Sequence, residues 1–245
     1  MDTEAQAPKA LWIDKMSTME AIQVMLDNQA QSIISVQDSL LQINLVIEKI
    51  FNKLQKNSKS RLVYVGAGTS ARIAVQDAVE LYPTFGWPKN RIAFMIAGGI
   101  NALIDSVEGA EDNIDDAYII GRKIKLSRYD VVIALAASGK TPFTIECVRY
   151  AKLKKSLSIA ISNNKEGDIL KEADFGIVLE TGYEIIAGST RLKAATAQKI
   201  CLNIMSSMLM TKLGLVKNGL MTHFIASNQK LKKRKSRVLK LTTNT

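Results

Sequence analysis

From residue 60 onward the chain alternates short apolar runs with stretches of helical periodicity, and this alternation limits the possible folds more than any other feature. The runs lie at 61–65, 91–97 (RIAFMIA), 130–136 (DVVIALA), 156–161 (SLSIAI) and 175–179 (FGIVL). Between them, apolar residues recur at helical spacing over about 70–82, 100–107, 113–124, 142–154 and 166–172, and then over 189–213, where Gly214 reads as a C-terminal cap. Strands with no polar face must be covered on both sides. The pattern therefore predicts an α/β fold, a five-stranded parallel sheet flanked by helices. In such sheets ligands sit beyond the carboxyl ends of the strands.

Residues 17–56 read as two further helices with few breakers, with Ser17-Thr18 as a cap. Their apolar positions suit a packing or dimerisation surface. A last helical segment is expected over about 220–240, and His223, the single histidine, falls in its first turns as a structural residue. At 245 residues and 47% hydrophobic content the chain can bury a full core. No apolar stretch reaches the roughly 18 residues that span a bilayer. The start, MDTEAQAPKALWIDK, lacks the apolar core of a secretory signal, so a cytoplasmic location is expected. Cys147 and Cys201 lie in apolar helical patterns without metal-type spacing and read as buried free thiols.

The net charge of +10 is unevenly distributed: residues 230–240 (KLKKRKSRVLK) supply seven of the positive charges, leaving +3 elsewhere. Such a run reads as a solvated tail or an exposed helix face. No aromatic residues are interleaved for base stacking, so neither nucleic acid nor membrane is expected as a partner.

Three turns could receive an anion. Gly66-Ala67-Gly68-Thr69-Ser70 links a strand to a helix, where backbone N–H groups, two hydroxyls and the positive helix end suit phosphate. Read alone, it could equally be a tight turn with glycines chosen for backbone freedom. Ala136-Ala137-Ser138-Gly139-Lys140-Thr141-Pro142 resembles a nucleotide loop, but Ala134 stands where the first glycine of such a loop is required. Ser138, Gly139 and Thr141 then suit one phosphate group, ahead of a helix started by Pro142. The third turn, Gly188-Ser189-Thr190-Arg191-Leu192-Lys193, follows Glu184, a possible base or hydroxyl anchor; by itself it could be an ordinary N-cap. Two carboxylates complete the set. Glu80 is on the helix that begins at the first turn, and Glu111 is in Glu108-Gly109-Ala110-Glu111-Asp112. They suit acid–base chemistry if burial tunes one of them, or they are simply solvated helix-end groups.

The blocks GAGTSAR, QDAVELYPTFG, IAGG, VEGAED, AASGKTP, EIIAGSTRLKAATAQK and SNQKLKKR, in this order, resemble the N-acetylmuramic acid 6-phosphate etherase family. That family belongs to the sugar isomerase (SIS) fold group and is related to the glucokinase regulatory protein. The likeness runs across nearly the whole chain. It implies an N-terminal helical extension (1–56), a SIS sugar-phosphate-binding domain (57–216) and a C-terminal helix with a basic tail (217–245). It also implies a homodimer with sites near the subunit interface, no metal or organic cofactor, and a role in cell-wall sugar recycling. The implied reaction cleaves the D-lactyl ether of a phosphorylated amino sugar by C2 proton abstraction, loss of lactate from C3 and addition of water. By the same resemblance Glu80 and Glu111 are catalytic. Thr69, Ser70, Ser138, Gly139, Thr141, Ser189 and Thr190 bind substrate with the phosphate at the serines and Thr141, and Glu184 holds a sugar hydroxyl.

The chain departs from the family pattern at Ala71 (expected to crowd the phosphate turn), Ala74 and Ala195, where glycine or another small residue is usual, and at Gln6-Ala7-Pro8. It departs also at Asn28-Gln29, in place of a Glu-Asp pair, and at His223, in place of aspartate. Family members usually continue into a small helical domain after the basic tail, so the chain reads as a shortened copy. The competing expectations are a catalytically impaired sugar-phosphate-binding regulatory protein and an aldose–ketose isomerase.

Overall fold

The computed structural model of the chain describes residues 3–226 together with Gln229 and Lys233. Five parallel strands form its centre: β1 (Leu62–Gly66), β2 (Ile92–Ile96), β3 (Val131–Ala136), β4 (Leu157–Ser162) and β5 (Phe175–Val178), in the order β2-β1-β3-β4-β5. The register runs Leu62 beside Val131 through Gly66 beside Leu135, so β1 and β3 end level with each other. Every residue of both strands is buried, as strands covered on two faces must be.

Alternate side chains feed two cores. Leu62, Tyr64, Ile133, Ile159 and Ile177 pack with helices α2 (Leu40–Lys56), α3 (Gly68–Phe85) and α7 (Lys193–Lys212). Val63, Val65, Val132 and Ala134 pack with α4 (Asp115–Lys123), α5 (Pro142–Leu153) and α6 (Asp168–Glu172) on the opposite face. Cys201 and Cys147 are free thiols, one in each core.

Helix α1 (Thr18–Asp38) starts where the sequence places it: the Ser17 hydroxyl accepts from the Glu20 N–H, and the Glu20 carboxylate accepts from the Ser17 N–H. In α2, Ile43, Val46, Ile47, Ile50 and Leu54 recur at helical spacing and are buried in the first core. These N-terminal helices thus share one hydrophobic core with the sheet. Between them, the Ser39 hydroxyl shares its one hydrogen between the carbonyls of Ser35 and Val178, tying the helix pair to the exit of β5.

Three local expectations are corrected. The helix expected over 100–107 is a single 3-10 turn at Ile100–Leu103, followed by an irregular loop to residue 114. Helix α7 begins at Lys193, four residues later than its periodicity predicts. At the start of the helix expected over about 220–240, residues 216–221 instead form a hairpin, β6 (Val216–Lys217) and β7 (Leu220–Met221), whereas Gln229 and Lys233 further along the expected span are helical. Asn218 and Gly219 both take positive φ (52° and 72°), as a tight hairpin turn requires. His223 therefore lies in a bend rather than a helix, its Nδ1 within 2.8 Å of the Thr222 hydroxyl. Its carbonyl oxygen sits against Gly86, where a Cβ would come within 2.5 Å. The basic run at 230–240 lies outside the described residues apart from Lys233. Among the described residues no helix is long and apolar enough to cross a membrane.

Candidate functional site

The chain leaves β1 outward to β2 and returns to β3 on the other side of β1, so a crevice opens at the carboxyl ends of β1 and β3. A cavity of ≈ 280 Å3 occupies that place, lined by Thr69, Ser70, Glu111, Ser138, Thr141 and Thr190 among others. All three of the anion-type turns expected from the sequence contribute a wall.

Two of the turns present helix starts. Gly68, with φ +52°, opens α3 directly after β1, placing Thr69 and Ser70 in the first helical turn. In the β3–α5 connection the Ser138 hydroxyl accepts from the Lys140 N–H (3.1 Å), and Thr141 precedes Pro142 at the first position of α5. The positive ends of α3 and α5 thus meet at the cavity beside four hydroxyls, an arrangement suited to a phosphate. Gly139 shapes this turn without lining the cavity. Its φ is +70°, and a Cβ there would lie 2.4 Å from the Gly167 Cα. Its carbonyl accepts from the Ile169 N–H, which ties the turn to α6.

The third turn departs from expectation. Gly188 and Thr190 line the cavity, whereas Ser189 is half-buried outside its lining, with its N–H on the Ile186 carbonyl. Glu184 is fully buried, and its carboxylate accepts from the N–H groups of Lys193 (3.2 Å) and Ala194 (2.9 Å). It is the cap of α7, the helix having no side-chain cap at Leu192, and it lines neither the cavity nor its neighbour. The anchor for a sugar hydroxyl expected at Glu184 is corrected to a helix cap. Burial raises its pKa, against the lowering effect of the two N–H bonds.

The two candidate acids are separated. Glu111 lines the cavity and also an adjoining one of ≈ 220 Å3 that shares Ala67 and Gly68 with it. The Glu111 carbonyl accepts from the Phe143 N–H (2.9 Å), fixing its loop to the start of α5. Glu80 is exposed and lines neither cavity. It is ten residues along α3 from Ser70, about 15 Å at the helical rise, which sets it well outside the cavity that Glu111 lines.

Ala71, expected to crowd the phosphate turn, does not line the cavity. Its methyl group is buried with Ile96 and Ala102 beneath it. Two contributors escaped sequence reasoning. Glu4 lines the cavity, and its Oε2 would be 2.9 Å from a Cβ at Gly188; only contact across the whole fold reveals it. Arg72 lines the adjoining cavity, donating to the carbonyls of Ala102 (3.0 Å) and Leu103 (3.1 Å). Its place within GAGTSAR was the available signal.

Comparison with known proteins accords with this geometry. The family model of the glucokinase regulatory protein N-terminal SIS domain matches residues 42–152, and the SIS domain model matches residues 105–208. An N-acetylmuramic acid 6-phosphate etherase from Mycoplasma mycoides subsp. mycoides SC is 42% identical over 244 residues, covering 100% of this chain and 80% of the relative. One from Geobacillus sp. (strain WCH70) is 42% identical over 239 residues, covering 98% and 80%. Among solved structures, a phosphoheptose isomerase from Francisella tularensis superposes with a TM-score of 0.60 at 13% identity, covering 80% of this chain and all of that one. That likeness concerns the fold.

Proposed function

The chain belongs to the N-acetylmuramic acid 6-phosphate etherase family, and from that membership we propose how its site performs the family's reaction. The protein is a carbon–oxygen lyase that cleaves the D-lactyl ether of N-acetylmuramic acid 6-phosphate, giving N-acetylglucosamine 6-phosphate and D-lactate. The observation that carries this reading is the cavity at the β1/β3 crevice, where two helix starts and the hydroxyls of Thr69, Ser70, Ser138 and Thr141 face Glu111.

The phosphate binds at the two helix starts and fixes the far end of the open-chain sugar, which supplies positioning for the reacting carbons. Ser138 and Thr141 approach it from the β3 side, and Ser70 and Thr69 from the β1 side. Thr190 closes the rim, and Gly139 holds the turn in shape. A carboxylate removes the C2 proton, acidic because it lies beside the aldehyde carbon. A protonated carboxyl gives its proton to the lactate oxygen as the C3–O bond breaks, leaving a C2=C3 double bond; water then adds at C3 and a proton returns to C2. We assign the base to Glu111, within the cavity, and the proton donor to Glu80 of a second subunit, since the distance along α3 keeps the chain's own Glu80 away.

This assignment requires a homodimer. In its support, α1 and α2 leave the large apolar side chains of Met19, Leu26, Ile33, Leu41 and Leu45 exposed, as helices that pack against a second subunit would. We place the protein in the cytoplasm, in the recycling of cell-wall sugar.

The test is release of D-lactate from N-acetylmuramic acid 6-phosphate by the purified chain. Glu111→Gln is expected to lower kcat by about a hundredfold or more while phosphosugar binding persists. Binding without lactate release in the unaltered chain would overturn the catalytic reading and leave a regulatory binder.

A further inference from the structure

A second cavity, ≈ 350 Å3, shares no lining residue with the catalytic one. Its walls are Leu11, one face of α1 (Val24, Asp27, Asn28 and Gln31), the loop residues Thr181, Gly182, Tyr183 and Ile185, and Lys193 at the start of α7. The face of α1 that carries Leu26 and Ile33 is a different one, exposed to solvent.

Three polar groups in this wall lack partners. Lys193 is only 3% exposed, and among the described residues its ammonium makes no hydrogen bond or ion pair. Its Nζ stands over the Tyr183 ring, 4.8 Å from the centroid, and the Glu184 carboxylate acts on it through space, offsetting part of the cost of its burial. Asn28 Oδ1 and Thr181 Oγ1 are buried without a hydrogen-bond partner. A buried cation and orphaned acceptors are costly unless something completes them. Two carboxylates stand nearby, and among the described residues neither makes an ion pair or hydrogen bond with the Lys193 ammonium. Glu184 is committed to the N–H groups of Lys193 and Ala194, and Asp27 Oδ1 accepts from the Gln23 amide.

The chemistry of the wall selects the ligand. A single ammonium suits a monoanion. The first N–H groups of α7 are taken by Glu184, so the cavity offers no helix start for a phosphate dianion. Asn28 Oδ1 can only accept, and so needs a hydroxyl or amide donor. The volume falls at the small end of ordinary ligand sites. We propose that this cavity binds a small hydroxylated monocarboxylate, its carboxylate paired with Lys193 and a hydroxyl donating to Asn28 Oδ1 beside Thr181. This site stands independently of the etherase mechanism.

Isothermal titration of the full chain with gluconate tests it, in buffer holding enough inorganic phosphate to occupy the phosphate turns. Gluconate should bind, propionate should bind at least about tenfold more weakly, and inorganic phosphate should not compete. Asn28→Asp replaces the acceptor with a charge that repels the ligand and pairs with Lys193, so it should abolish gluconate binding while raising the melting temperature. Lys193→Met should abolish it too, and the charge-retaining Lys193→Arg should keep part of it. The proposal is overturned if gluconate gives no binding heat or is displaced by inorganic phosphate. It is equally overturned if propionate binds as tightly, or if Asn28→Asp and Lys193→Met bind gluconate like the unaltered chain.

Discussion

At the scale of single residues, position decided what identity alone left open. Ala71 stands in the segment proposed to bind phosphate, and sequence reasoning set its methyl group against the ligand. The first turn of α3 instead points that methyl into the cluster with Ile96 and Ala102. Ala71→Gly should therefore leave KM for the phosphosugar within about twofold and cost about 1 kcal/mol of stability, the usual helix penalty of glycine. A melting curve and a lactate-release assay would check both. Asp77 was not legible as special from its place in a helical pattern. It is buried between the sheet and α7, accepting from Asn203 Nδ2 (2.8 Å), from the Ser206 hydroxyl (2.9 Å) and from the Tyr64 hydroxyl. Burial outweighs these bonds and raises its pKa from 3.8. A carboxyl raised in the fold favours the folded state most when protonated, and that contribution fades as pH rises through the raised value. Asp77→Asn keeps an acceptor and cannot ionise. Urea unfolding across about pH 4 to 7 should show the asparagine variant gaining on the unaltered chain as pH rises. A constant difference would mean that Asp77 titrates normally.

At the scale of elements, the parallel sheet was readable because strands covered on both faces leave an unmistakable run of apolar residues. All five strands lie within a residue or so of their expected bounds. The two ends of α7 differ in legibility for a physical reason. Its C-terminus was marked by Gly214, which takes φ +81°, whereas its N-terminus is held by Glu184 from eight positions before Leu192, beyond the reach of any local capping pattern. The hairpin at 216–221 was signalled by Asn218-Gly219, but the apolar residues around it also fit a helical period, and that period was the wrong one to follow. The cap makes a prediction of its own. Glu184→Ala strands two buried N–H groups and should cost about 2 kcal/mol. Glu184→Gln retains one acceptor and should cost less. Chemical denaturation of both variants would rank them. Equal losses would show that the charge, rather than the hydrogen bonds, holds the start of α7.

At the scale of the molecule, the site is legible in part because three turns remote in sequence converge wherever a parallel sheet ends, and in part illegible because Glu80 and Glu111 do not converge within one chain. The first turn starts α3 at the cavity, and the rigid helix then carries Glu80 about 15 Å away from it. The same rigidity fixes its direction, so in the proposed assignment Glu80 acts on a neighbour's substrate. In the proposed twofold dimer such residues would be exchanged reciprocally, each subunit lending its Glu80 to the other. Glu80→Ala and Glu111→Gln homodimers should each be inactive. When the two are mixed, unfolded and refolded together, half of the dimers should be mixed ones with one intact pair of carboxyls, since Glu111 of one chain meets Glu80 of the other. Activity should then return to about a quarter of the unaltered level at equal mixing, where carboxyls acting within one chain would recover none. A mixture as inactive as its parents would remove Glu80 from the trans role and, with it, the need for a dimer in catalysis.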